Sequence, residues 1–382
     1  MKKVKVALIH NIISPYRHPI FEALSQEQSL DLHVYFCSET HGNRKWPVQR
    51  SEKYKNEILK GITIPVSKVM YYHINPIIIS VLKKEKFDIV IIGGSTDFTN
   101  QLSFMISKIL KTPIILWTEG IANTESTLGK IISPIKKYII RNTNAIIVPG
   151  TKSRDFHISL GADPKKIFIS PNVVNNEYFI EQSKFYRQNK EFHKAKIGLS
   201  NKQIILFVGR LISIKGLEYL LNAFKILKCD KNSVALVIIG DGVLENKLKS
   251  ICIEENIEDV YFTGWLDDDK IMYYGISDVF VLPSLKDLCP LVINEAMCSG
   301  LPVISTKNIG CAVDMISNGK NGFLVDKQDV QQLYESLIEI LNNDPDMMGG
   351  YSLKIIKKYY SINNVVEGFM SAIEFSLENQ RK

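Results

Sequence analysis

A series of short, uninterrupted Ile/Val/Leu runs, separated by stretches of helical periodicity, most constrains the fold. In the first half the runs are Val4–Ile9, Leu32–Cys37, Ile62–Val66, Ile89–Ile92, Ile114–Trp117, Ala145–Pro149 and Ile167–Ser170. In the second half they are Ile204–Val208, Ala235–Ile239, Val260–Thr263, Val279–Leu282, Pro302–Ser305 and Gly322–Val325. A strand that is apolar on both faces must be covered on both, and helices between successive strands supply that cover. The pattern therefore predicts parallel sheets in an α/β fold. Helical periodicity, as in Leu217–Lys228 and Val330–Leu341, fills most gaps. The pattern lapses between Asn175 and Gln203, a polar and charged stretch that reads as an interdomain connection, and a second series starts after it. A chain of 382 residues accommodates two such units. The expectation is two doubly wound, Rossmann-like domains, 1–180 and 181–361, with the last helical segment, about 362–382, packed back on the first. Ligands of such sheets bind beyond the carboxyl ends of the strands, and a cleft between two such domains is a natural site.

Several function classes are disfavoured. No apolar run reaches the roughly 18–20 residues that span a bilayer. The N-terminal run Val6–Ile9 is too short for a signal peptide and reads as a first strand. The six cysteines are scattered without a CxxC pair and read as free thiols of a reducing cytoplasm. No GxGxxG follows the first strand and no Walker A sequence occurs, which argues against nicotinamide oxidoreductases and P-loop NTPases. Residues 1–180 hold 24 Lys+Arg against 14 Asp+Glu, so their charge of +10 exceeds the +7 of the whole chain. A basic first half suits an anionic surface such as phospholipid or a lipid-linked phosphate, and equally a solubilising lysine-rich exterior.

Chemistry concentrates in the second half. The segment Pro283–Ile304 places Asp287 in a loop after an apolar strand and Glu295 about one turn into the following helix, with Pro290 in that helix's first turn. Helix N-termini offer unpaired N–H groups and partial positive charge to anionic or polyhydroxyl ligands. In FVGRLISIKG, Gly209 permits a sharp turn, and Arg210 and Lys215 then lie in a strand-to-helix loop, a pair of cations suited to a diphosphate. Gly240-Asp241-Gly242 is a tight turn and weak evidence alone. Asp267-Asp268-Asp269 invites a metal reading, but its place before a helix favours capping.

Taken in order, FVGRL, KG, GDG, VYFTG, DVFVLPS, Asp287-x7-Glu295 and SGLPVIS resemble the C-terminal domain of family 4 (group 1) glycosyltransferases, over about residues 204–306. PYRHPIFEAL resembles the opening of a bacterial polysaccharide-assembly branch of that family. The resemblance implies a GT-B fold and a retaining transfer of a sugar from a nucleotide-sugar, UDP- or GDP-linked, to an acceptor hydroxyl. It implies that Arg210 and Lys215 hold the donor diphosphate, that Asp287 contacts the transferred sugar, and that Glu295 bonds the ribose. Gly209, Gly240, Asp241, Gly264, Trp265, Leu266, Leu288, Cys289, Pro290, Leu291 and Val292 would line the donor. The resemblance implies that a donor phosphate oxygen is the base, so that no protein nucleophile is needed, and, separately, that neither cofactor nor metal is required. A glycan or lipid-linked acceptor follows, in surface polysaccharide or glycolipid assembly, with no nucleic-acid partner. The location would be the cytoplasm, in peripheral contact with the inner face of an anionic membrane. A nucleotide-sugar 2-epimerase of the same fold and a weakly active sugar-nucleotide-binding subunit are the alternatives.

Two departures stand out. The usual first carboxylate is Glu, and Asp287 is one methylene shorter. Leu288-Cys289-Pro290 replaces a small or aromatic, glycine-containing segment, and Pro290 cannot donate an amide hydrogen bond. In the first domain the family's glycine-rich loop is replaced by His10 to Arg17. His10, Ser14, Tyr16, Arg17 and Glu119 are candidate acceptor-side residues. A structural histidine and a solvated loop acid are the plainer readings of His10 and Glu119. The segment Leu128–Arg141 sets Leu128, Ile131, Ile132, Ile135 and Ile139 on one helical face beside Lys130, Lys136, Lys137 and Arg141. That face suits a membrane interface or, equally, a core.

Overall fold

The structure, a computed structural model, describes residues 3–41, 48, 50–66, 71–122 and 127–380, without the side chains of 127–133. The chain forms two compact units, Met1–Asn172 with Ile362–Lys382, and Val173–Ser361.

The first unit contains β1 (Val4–Ile12), β2 (Leu30–Ser38), β3 (Lys55–Ile58), β4 (Ile62–Pro65), β5 (Tyr71–Ile74), β6 (Ile89–Ile92), β7 (Ile114–Trp117), β8 (Ala145–Val148) and β9 (Ile167–Ile169). Seven of them form a parallel sheet in the order β3-β2-β1-β6-β7-β8-β9. Every residue of β6, β7 and β8 is buried, as continuous apolar runs require. The run Ile62–Val66 departs from the parallel expectation. Its β4 pairs antiparallel with β5 in a separate two-stranded ribbon. Ile62 and Ile64 are exposed there, and Pro65 lacks the N–H that a central strand must donate.

The helix Ile362–Glu378 completes this unit. Val365, Phe369, Ala372 and Ile373 are buried at helical spacing, and the Phe369 ring meets Trp117 edge-on at 5.1 Å. Gly368 makes the approach possible, because a Cβ there would lie 2.4 Å from the Ile169 carbonyl oxygen. The Ser170 hydroxyl donates to the Val365 carbonyl at 3.1 Å.

The second unit contains β10 (Gln203–Val208), β11 (Val234–Ile239), β12 (Val260–Gly264), β13 (Val279–Leu282), β14 (Val303–Thr306) and β15 (Gly322–Val325). They form a parallel sheet in the order β12-β11-β10-β13-β14-β15. In both sheets the order reverses beside the first strand, which creates a topological switch point between β1 and β6 and another between β10 and β13.

Three expectations need correction. The stretch 175–203 is not a bare connection. It folds as helices Asn176–Gln188 and Lys190–Lys196 of the second unit. Phe179 and Ser183, four residues apart, are buried, and Asn175 caps the first helix by accepting the Tyr178 N–H at 3.2 Å. The dense charge of the outer face hid this narrow stripe. The expected cap at Asp267–Asp269 forms no side-chain bond, because Asp269 at the N-cap already has helical angles (φ −60°, ψ −20°). In the helix Thr127–Asn142, Ile139 is buried but Ile135 is 50% exposed, so the two do not share one cover. The side chains of Leu128, Lys130, Ile131 and Ile132 lie outside the described residues.

Candidate functional site

In the second unit the loops after β10 and β13 border the switch point. They are joined first through backbone: the Leu285 N–H donates to the Ile214 carbonyl at 2.8 Å. Gly216 has φ 69°, and a Cβ there would lie 2.2 Å from the Pro283 carbonyl oxygen, so the turn that ends the Lys215 loop excludes a side chain. The neighbouring strand ends are tied similarly. Gly209 N–H bonds Ile239 O at 2.9 Å, Leu211 N–H bonds Asp241 O at 2.7 Å, and Gly240 N–H bonds Gly264 O at 2.8 Å.

This scaffold gathers the expected residues. Arg210 is exposed at the mouth of the first loop, and Lys215 is half-buried at its end. The Lys215 ammonium is ion-paired with Asp287, whose other carboxylate oxygen accepts the Leu288 N–H at 3.0 Å. The Asp287 carbonyl accepts the Gly310 N–H at 3.2 Å. Cys289, Leu291 and Val292 are half-buried and Leu288 is exposed. Pro290 is the N-cap, one position ahead of the helix Leu291–Cys298, because its ψ of 118° is extended. Trp265, 47% exposed, and half-buried Leu266 follow Gly264 at the end of β12.

Glu295, the expected ribose partner, is anchored inside the second unit. Its side chain is fully buried, with one oxygen 2.9 Å from the Lys270 ammonium and the other accepting the Tyr274 hydroxyl at 2.9 Å. Both partners come from the helix Lys270–Ile276, one turn apart. Sequence reading missed them. The available signal was the requirement that a buried carboxylate be paired.

In the first unit, His10, Arg17 and Glu119 converge at the carboxyl ends of β1 and β7. Arg17 is ion-paired with Glu119, donates to the Asn172 side-chain oxygen at 2.9 Å, and lies 4.6 Å over the Trp117 ring. The Asn172 amide donates to Glu119 at 2.9 Å. Glu119 is therefore not a solvated loop acid. The His10 ring packs against Trp117 (5.4 Å) and Phe21 (5.9 Å), and its Nδ1 lies 3.1 Å from the Ile12 carbonyl. A carbonyl only accepts, so Nδ1 carries the hydrogen and Nε2 the lone pair. Burial, then the Arg17 charge, lower the His10 pKa to about 4. Ser14 accepts the Arg17 N–H through its carbonyl at 2.9 Å, and Tyr16 is half-buried in the same turn.

A second polar cluster lies at the same edge and carried no sequence signal. His41 Nε2 and His73 Nε2 are 3.0 Å apart, and the His73 backbone N–H donates to Asp97 at 3.1 Å. Burial raises the Asp97 pKa to about 7, although it also accepts the Thr99 N–H at 3.0 Å as the cap of the helix Phe98–Ile109. Among the described residues no group of three or more His, Cys, Asp or Glu side chains is arranged to hold a metal.

Two expected outcomes follow from these arrangements. Lys270→Met leaves the Glu295 charge buried without its cation, so it should destabilise the second unit by about 3 kcal/mol. Adding Glu295→Gln should recover part of that loss, and denaturant midpoints of the two variants give the comparison. A double variant no more stable than Lys270→Met would contradict the pairing. His10 gives a pH dependence. Its folded pKa, about 4, lies below the ordinary 6.5. Between those values the unfolded chain binds a proton that the folded chain refuses, so stability is intact above pH 6.5 and falls as pH drops toward 4. His10→Asn should make the slope of unfolding free energy against pH, measured by denaturant titration, shallower in that window by up to about 1.4 kcal/mol per pH unit. An unchanged slope would refute the assignment.

Comparison with known proteins converges on one family. A family model described as glycosyl transferases group 1 matches residues 189–355. The chain is 31% identical over 300 residues to the UDP-Gal:alpha-D-GlcNAc-diphosphoundecaprenol alpha-1,3-galactosyltransferase of Escherichia coli, covering 75% of this chain and 73% of that one. It is 28% identical to a 41.2 kDa protein of the cps region of Klebsiella pneumoniae, covering 92% and 95%. Its fold resembles the crystal structure of Anabaena HepE in complex with UDP, with a TM-score of 0.76 at 15% identity, covering 97% of this chain and 99% of that one. Two Rossmann-like units with these motifs make the chain a GT-B enzyme that transfers sugars, and it belongs to the group 1 glycosyltransferases.

Proposed function

We propose that the enzyme is a retaining glycosyltransferase that takes a sugar from a UDP- or GDP-linked donor and adds it to a glycan or lipid-linked acceptor during surface polysaccharide or glycolipid assembly. The observation that carries this reading is the pair of cations, Arg210 and Lys215, in the loop after β10 at the switch point of the second unit. There they would grip the diphosphate and stabilise the charge that develops on the leaving phosphate. Trp265, Leu266 and the segment Leu288–Val292 would line the donor, with Asp287 against the transferred sugar. A ribose contact to Glu295 requires Lys270 or Tyr274 to share the carboxylate. Names of relatives support the class of substrate: the Escherichia coli relative uses UDP-galactose and a sugar on a diphosphate lipid.

The His10–Arg17–Glu119 cluster would serve the acceptor, with Ser14 and Tyr16 in the adjoining turn. Arg17 is held by three partners, so its part is to position, while neutral His10 offers a lone pair to a hydroxyl. Among the described residues no helix is long and apolar enough to cross a membrane. Peripheral contact is supported by a patch on the first unit, where Met105, Ile109, Ile135 and Tyr138 are exposed beside Lys108 and Lys137. The Phe104–Tyr138 ring contact of 6.0 Å makes the two helices of this patch neighbours.

The donor reading predicts that at least one of a panel of UDP-, GDP-, ADP- and dTDP-sugars raises the melting temperature, because binding to the folded state stabilises by mass action. Arg210→Ala should abolish that shift without lowering the melting temperature of the free protein, and a panel with no effect on the wild type sinks the donor site. Released nucleoside diphosphate without a glycosylated acceptor would instead favour the epimerase. For the membrane contact, sedimentation with phosphatidylglycerol vesicles should exceed that with phosphatidylcholine. Lys108→Glu with Lys137→Glu should reduce it about tenfold or more, since each basic residue near the surface contributes on the order of 1 kcal/mol. Equal sedimentation with both vesicles refutes the contact.

A further inference from the structure

We propose that Asp287 is the counter-ion that drives release of the nucleoside diphosphate: it neutralises Lys215 when no phosphate is bound and repels the extra charge created when the sugar departs. This rests on the reading of Arg210 and Lys215 as the phosphate-holding pair. Asp287 is ion-paired with Lys215 rather than turned toward open solvent, and the two side chains are 22% and 12% exposed. The carboxylate cannot easily move away. Its second oxygen accepts the Leu288 N–H, its own carbonyl accepts the Gly310 N–H, and its backbone bridges to Ile309. The loop it sits in is bonded to the Lys215 loop at Leu285 and Ile214. A diphosphate that reaches Lys215 must therefore share the ammonium with a carboxylate that stays close by.

The reaction changes the charge beside that carboxylate. The bond between the anomeric carbon and the terminal phosphate oxygen breaks, and its electron pair stays on the phosphate. The acceptor oxygen bonds to the anomeric carbon, and its proton passes to the departing phosphate oxygen and from there to solvent, since that phosphate ionises again at neutral pH. A nucleotide-sugar carries one negative charge on each phosphate. The product's terminal phosphate, with a second pKa near 6, gains a further charge of close to −1 at neutral pH. Like charges in a partly buried site repel strongly, because little solvent screens them there. Asp287 thus selects against product more than against donor, so the group that completes the ion pair in the free enzyme also clears the site after transfer.

The test measures dissociation constants by calorimetry for UDP, GDP and ADP and for the matching nucleotide-sugars, with wild type, Asp287→Asn and Asp287→Glu. Asp287→Asn should lower the dissociation constant of the diphosphate itself at least about tenfold, which loss of a sugar contact could not do, and strengthen product inhibition. Asp287→Glu, which keeps the charge, should leave the diphosphate within about threefold of wild type. If no nucleotide binds the wild type, the donor-site reading fails and takes this proposal with it. If nucleotides bind but Asp287→Asn does not tighten the diphosphate, the donor site stands and the counter-ion role is overturned.

Discussion

The second unit's candidate site depends on a close backbone approach. The loops after β10 and β13 meet where Leu285 bonds Ile214 and where Gly216 turns beneath the Pro283 carbonyl without room for a side chain. Parallel strands alone bring two loops to the same edge. This contact fixes their relative height, and with it the spacing of a lysine from one loop and an aspartate from the other. Electrostatics then acts on groups that are already placed, which is how a site attains strong interactions without paying for reorganisation at the moment of binding.

Burial divides the two carboxylates that the sequence presents as a pair. Asp287 lies on a loop at the rim and deals with a charge that changes during turnover. Glu295 lies inside, on a helix, with a cation and a hydroxyl from the neighbouring helix. A fully buried carboxylate with two fixed partners acts first as a clasp between the helices Lys270–Ile276 and Leu291–Cys298, and any contact with a ligand is made from that anchored position. In the first unit Arg17 has a similar double character. Its charge is matched by Glu119, its plane by Trp117 and its remaining hydrogen-bonding capacity in part by Asn172.

Most of the architecture was legible because it rests on apolar strands. Strands such as Ile89–Ile92, Ile114–Trp117 and Val279–Leu282 are buried on both faces, and only continuous apolar runs satisfy that. What escaped reading was held by polar contacts or by edges. β3 and β5 carry Lys55, Asn56 and His73, and their pairing comes from neighbours rather than from composition. The helices Asn176–Gln188 and Lys190–Lys196 bury too narrow a stripe to show through their charges. At the site, residues in loops with turn chemistry, Gly209 to Gly216 and Asp287, were visible by type and spacing. Partners supplied from distant segments, such as Lys270, Tyr274 and Asn172, were not, since nothing local marks a residue whose importance is that it meets another far along the chain.

The helix Ile362–Glu378 gives the first unit a discontinuous sequence. Trp117 and the end of β9 wait for Phe369 and Gly368, and all of the second unit's sequence lies between. During synthesis the first sheet emerges with one flank uncovered and stays so until the second unit and the helix Ile362–Glu378 have followed. The second unit, continuous in sequence, can close its own core as soon as β15 and its following helices leave the ribosome. The order of maturation is thus inverted relative to the order of synthesis: the half that begins the chain is the last to be finished.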